Sequence, residues 1–69
     1  MMKTTYHVQT GKTKSWEIKK EGAEQATRTF ETKEEAYQFG RQICDENRPS
    51  ELVLHRENGQ IEDRSLYNS

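Results

Sequence analysis

Residues 32–49 read Thr-Lys-Glu-Glu-Ala-Tyr-Gln-Phe-Gly-Arg-Gln-Ile-Cys-Asp-Glu-Asn-Arg-Pro, and this stretch decides how the rest of the chain must fold. Thr32 followed three residues later by Glu35 is a capping-box pattern. The hydroxyl satisfies an orphan backbone N–H, and the carboxylate reaches back to the N–H of Thr32. Glu34 and Glu35 in the first turn suit the positive end of a helix dipole. Ala36, Phe39, Gly40, Ile43 and Cys44 recur at helical spacing and form one apolar stripe. Pro49 disfavours helix in the residue before it, so the helix should close near Asn47. Gly40 costs roughly 1 kcal/mol against alanine inside a helix. Close approach of the helix to a sheet is the expected reason for it.

Upstream of the helix the period changes from 3.6 to 2. Thr5-Tyr6-His7-Val8-Gln9 alternates polar and apolar, as does Ser15-Trp16-Glu17-Ile18-Lys19, and both read as half-buried strands. Thr10 to Lys14 is the turn between them, with Gly11 supplying backbone freedom. Glu21-Gly22 marks a second turn. Ala26-Thr27-Arg28-Thr29-Phe30 follows as a weaker strand, with Arg28 between the inward Ala26 and Phe30. Downstream, Glu51 to Arg56 and Gln60 to Tyr67 are strands, joined through Asn58-Gly59, the dipeptide preferred by a type I′ hairpin turn. The order is β-β-β-α-β-β. The expected fold is one small α+β domain with an ordered core over about residues 5–67, an antiparallel sheet carrying one helix on one face.

Alternation also assigns the two faces. Tyr6, Val8, Trp16, Ile18, Ala26, Phe30, Leu52, Leu54 and Ile61 should lie under the helix. Thr5, His7, Glu17, Lys19, Thr27, Thr29, Val53, His55, Glu62 and Arg64 should form the opposite face. That second face is mostly polar and could stand in water, as in many antiparallel sheets.

Composition narrows the function classes. At 69 residues the chain is one domain, too short for a large enclosed active site. Leu, Ile, Val and Phe total ten residues, so the core is small and self-association would help it. The longest apolar run is Leu52-Val53-Leu54, far below a membrane span, and no signal-like segment is present. Cys44 is the one cysteine, so no internal disulfide forms, and it is expected as a buried packing thiol in a cytosolic protein.

These elements fall in a recognisable order. Tyr6-His7-Val8, Trp16, Glu21-Gly22-Ala23, Phe30-Glu31-Thr32 with Glu35-Ala36, Glu51 to His55, Asn58-Gly59-Gln60-Ile61, and Ser65 with Tyr67 span nearly the whole chain. Together they resemble the small bacterial and phage proteins grouped as domain of unknown function 2188. Asn68 departs from the glycine often found after the tyrosine there. The resemblance implies a cytosolic single-domain α+β protein and carries no catalytic residues to transfer.

Three functional readings follow. No metal, phosphate-loop or nucleophile motif occurs, so no catalytic, cofactor-binding or metal-ligating residues are assigned. His7 and His55 lie on the same polar face and would meet if their strands are neighbours. A second reading rests on charge: residues 1–20 hold five lysines and one glutamate, whereas residues 21–69 carry a net −5. Lys12, Lys14, Lys19 and Lys20 on the first hairpin could track phosphates. The third reading is an interaction module, with His7, Val53, His55 and Leu66 as the candidate protein interface. It is the leading expectation: a non-enzymatic accessory protein with a protein partner, a homodimer among the options, and no membrane or cofactor.

Overall fold

The computed structural model describes residues 3–11 and 14–68. Its elements are β1 (Thr4–Thr10), β2 (Trp16–Lys20), β3 (Arg28–Phe30), α1 (Lys33–Glu46), β4 (Ser50–His55) and β5 (Ile61–Tyr67). The strands form one sheet in the order β3-β2-β1-β4-β5. The α+β class and the order of elements are as the sequence predicts. The sheet, however, is mixed. β1 and β4 run parallel, in register from Thr4 opposite Ser50 to Val8 opposite Leu54. The reason is topological. Two antiparallel steps return β3 to the direction of β1, and a helical crossover delivers β4 in that same direction. Turn signals report only hairpins, so this one long-range pairing leaves no local trace.

Thr32 caps α1 as expected, accepting from the Glu35 N–H at 3.2 Å. The second half of the box differs. The Thr32 hydroxyl donates to Glu35 Oε1 at 3.0 Å, in place of the backbone contact. At the other end, the Asn47 side chain donates to the Ile43 carbonyl and the buried Ser50 hydroxyl to the Cys44 carbonyl. The Ile43 and Cys44 carbonyls are therefore satisfied without a glycine cap.

Tyr6, Val8, Ile18, Leu52 and Leu54 meet Ala36 and Cys44 of α1 in the core, with Trp16, Phe30, Tyr37, Phe39, Ile43 and Tyr67 packed around them. Gly40 is the contact point between the layers. A Cβ there would lie 2.8 Å from Leu52 Cδ1 and 3.0 Å from Ile18 Cδ1. Arg28 is accommodated by lying over the rings of Phe30 and Phe39, at 5.1 and 5.4 Å. A long stem and a flat cation tolerate that edge position.

Several face and turn expectations are corrected. β5 carries a bulge opposite Leu54 and His55, so His55 pairs with Ile61 and Leu54 with Asp63. One extra residue inverts the alternation at that end. Ile61 is thus 47% exposed on the open face instead of in the core. Glu62 turns the other way, to a 2.6 Å ion pair with Lys33 of α1. Ala26 and Thr27 precede β3, which pairs over only three residues. In the β4–β5 loop Gly59 has φ of +92° while Asn58 does not share a positive φ, which excludes type I′. The loop is closed by Gly59 N–H to the Arg56 carbonyl and by Arg56 N–H to the Gln60 carbonyl. In the first turn the positive φ falls on Lys14, at 64°, and not on Gly11.

Candidate functional site

The open face is organised around the parallel seam between β1 and β4. Val53 lies opposite His7 of β1 and Arg64 of β5, with Glu51 and His55 two residues away on the same face. These side chains bridge one another above it. Arg64 contacts Glu51 at 3.4 Å, and His7 Nδ1 lies 2.8 Å from His55 Nε2. Val53 is consequently 0% exposed, which corrects its expected place as an exposed interface residue. It is a small second core roofed by polar side chains.

The two histidines do meet across the sheet, with ring centroids 5.1 Å apart. The contact continues at both ends. His7 Nε2 lies 3.0 Å from Glu21 Oε1, and His55 Nδ1 lies 3.0 Å from the Gly59 carbonyl. His7, Gln9, Lys19, Glu21 and His55 line a shallow recess of about 250 Å³. Glu21 and Gly59 carry no sequence signal beyond that of turn residues. Their part in the chain follows from the β1–β2 register and from the loop geometry, neither of which alternation fixes.

Beside this chain, burial pushes the Glu51 carboxyl up, but hydrogen bonds and charges from Lys3, at 3.2 Å, and from Arg64 outweigh it and hold it below the usual range. On the opposite face, burial pushes the Cys44 thiol up, with the Ser50 hydrogen bond a smaller opposing effect. That places Cys44 among inert packing thiols.

The basic hairpin is not assembled into one stripe. Lys12 lies outside the described residues. Lys14 sits at the turn, the far end of β2 from Lys19 and Lys20. Lys19 pairs in register with His7 and Lys20 with Tyr6, residues on opposite faces of the sheet. Trp16 is packed against the core with Lys33 5.6 Å above its ring, and so is occupied where base stacking would need it free.

The outer edge of β5 presents the contrasting surface. β5 is seven residues long and ends the sheet, whereas the other edge strand, β3, has three. The two exposed large hydrophobic side chains among the described residues, Ile61 and Leu66, both stand on β5. No helix among the described residues is long and apolar enough to cross a membrane.

A five-stranded mixed sheet with one crossover helix on one face, an open polar face and a seven-residue edge strand defines a small two-layered α+β module. A family model described as an uncharacterised protein conserved in bacteria, domain of unknown function 2188, matches residues 6–67, and the chain belongs to that family. No curated protein and no solved structure matches the chain.

Proposed function

We propose that this protein catalyses no reaction and works in the bacterial cytosol as an accessory or regulatory protein that docks another protein along β5. One observation carries this reading. β5 ends the sheet, so its outer edge faces no further strand among the described residues, and exposed Ile61 and Leu66 stand on it. The bulge and the charged Glu62, Asp63 and Arg64 guard the first half of that edge, as is usual for edge strands, and Ser65 to Tyr67 is the uncharged stretch left to recruit a further strand. Strand addition uses such an edge, with backbone hydrogen bonds for affinity and alternate side chains for specificity. The simplest partner is a second copy, pairing β5 with β5 antiparallel about a two-fold axis. Cys44, single and buried, is compatible with a reducing compartment.

Light scattering on the purified chain, together with affinity capture from a bacterial lysate with and without nuclease, tests the reading. A partner or second copy should be lost when Ile61 and Leu66 are both changed to lysine. It should persist under nuclease and in the Lys19→Gln, Lys20→Gln variant. A partner that survives the β5 change overturns the docking site. Binding that disappears with nuclease or with the lysine changes, and falls steeply with salt, transfers the function to nucleic-acid contact through Lys12, Lys14, Lys19 and Lys20.

A further inference from the structure

We infer that His7 and His55 hold one extra proton between them, and that this singly protonated pair is a pH-responsive clip between the turn after β2 and the β4–β5 loop. The argument is a count of hydrogens. The Gly59 carbonyl only accepts, so the His55 Nδ1 at 3.0 Å must carry a hydrogen. An ionised Glu21 only accepts, so the His7 Nε2 at 3.0 Å must carry one as well. The 2.8 Å contact between His7 Nδ1 and His55 Nε2 holds one more. Three hydrogens on two rings is one more than the neutral pair has and one fewer than the doubly charged pair. With both rings neutral, one of the three contacts lacks its hydrogen. With both charged, two N–H groups face each other at 2.8 Å. Only the singly charged pair satisfies the whole chain, and the proton can sit on either ring without breaking it.

The surroundings favour the same count. Glu21 is the direct counter-charge. Lys19, in register with His7 on the same face, and Lys20 at the rim of the recess both oppose a second proton. Glu17 beyond them is engaged by Gln9 at 2.9 Å, and on β4 and β5 Glu51 is committed to Lys3 and Arg64. A metal ion fits the pair less well. Two nitrogens on a tetrahedral zinc stand about 3.3 Å apart, from bonds of about 2.0–2.1 Å. Moreover, no group of three metal-ligating side chains stands together among the described residues.

The clip crosses the one place where the sheet has no hairpin. β1 and β4 are distant in sequence and lie side by side without a connecting turn, and the histidines tie Glu21 on one side to Gly59 on the other. Losing or gaining a proton releases one of the three contacts and opens the recess. This does not depend on β5 docking a partner.

Nitrogen-resolved NMR of the imidazoles across a pH series, on the full chain, is the test. The expected result is an interval in which the two rings share three hydrogens, His55 carries one on Nδ1, and a scalar coupling crosses the N–H···N contact. The amides of Glu21 and Gly59 should shift at both ends of that interval. Glu21→Gln supplies the decisive variant, because Glu21 is exposed and its replacement leaves the core intact. A glutamine can donate to His7 Nε2, which satisfies the chain with the neutral pair, so the extra proton should be lost at lower pH than in the parent. Two rings that titrate independently, with no response to Glu21→Gln, would overturn the clip. So would a His55 protonated on Nε2 alone throughout.

Discussion

Gly40 and Leu52 are packed so closely that a single added carbon at Gly40 would sit 2.8 Å from Leu52 Cδ1. Two effects of Gly40→Ala therefore oppose each other. Alanine is favoured over glycine by about 1 kcal/mol in a helix interior. Overpacking a filled core costs roughly 1–3 kcal/mol. Leu52 and Ile18, the two side chains that would have to yield, are fully buried and have little room to move. The packing effect should win, and Gly40→Ala should lower stability by about 1 kcal/mol, which is about 4–8 °C in Tm for a domain of this size. A rise in Tm would show that α1 can lift from the sheet at no cost.

That contact was legible in outline, since a glycine inside an apolar helical stripe calls for a close neighbour. The layering, the cap at Thr32 and most strand positions are local signals and can be read directly. The errors share a physical cause. Alternation is a local rule, and one bulged residue in β5 exchanges the faces of Ile61 and Glu62 with no mark in the composition. Val53 shows a second limit. It alternates with His55 and Arg64 as an open-face residue should, yet long polar neighbours bury it completely. The meeting of His7 and His55 depended on β1 and β4 being adjacent, which the crossover decides and no turn motif records. Glu21 joined the site only because the register brings the end of β2 beside His7.

Gly59 tests the β4–β5 loop. Its φ of +92° is strained for any side chain, but a Cβ there would meet no atom within 4 Å. The cost of substitution is therefore conformational and free of clash. Gly59→Val should destabilise by roughly 1–2 kcal/mol, while Gly59→Asn should cost less, because asparagine tolerates the left-handed region. Thermal unfolding of the two variants separates the cases. Equal stability of the valine variant and the parent would mean that the loop adopts another conformation.

The open face should also set part of the acid response. Glu51 is held below the usual carboxylate range: burial raises it, and Lys3 and Arg64 more than offset that. A carboxyl depressed in the folded chain binds its proton more weakly there than when unfolded, where glutamate titrates near about 4.3. The stability it contributes is complete above that unfolded value and disappears as pH falls through the lower folded one. Because Lys3 and Arg64 are half-exposed, solvent screens them and the contribution is that of a surface pair, about 0.2–1 kcal/mol. Glu51→Gln should thus lower Tm modestly at pH 7 and have little effect at pH 3, flattening the acid limb of the Tm–pH curve. Raised salt should shrink the difference at pH 7 through screening. If parent and variant instead lose Tm in parallel between pH 6 and pH 3, the bridge over Val53 contributes no ionic stability. The valine would then be covered by packing of the Glu51 and Arg64 stems alone.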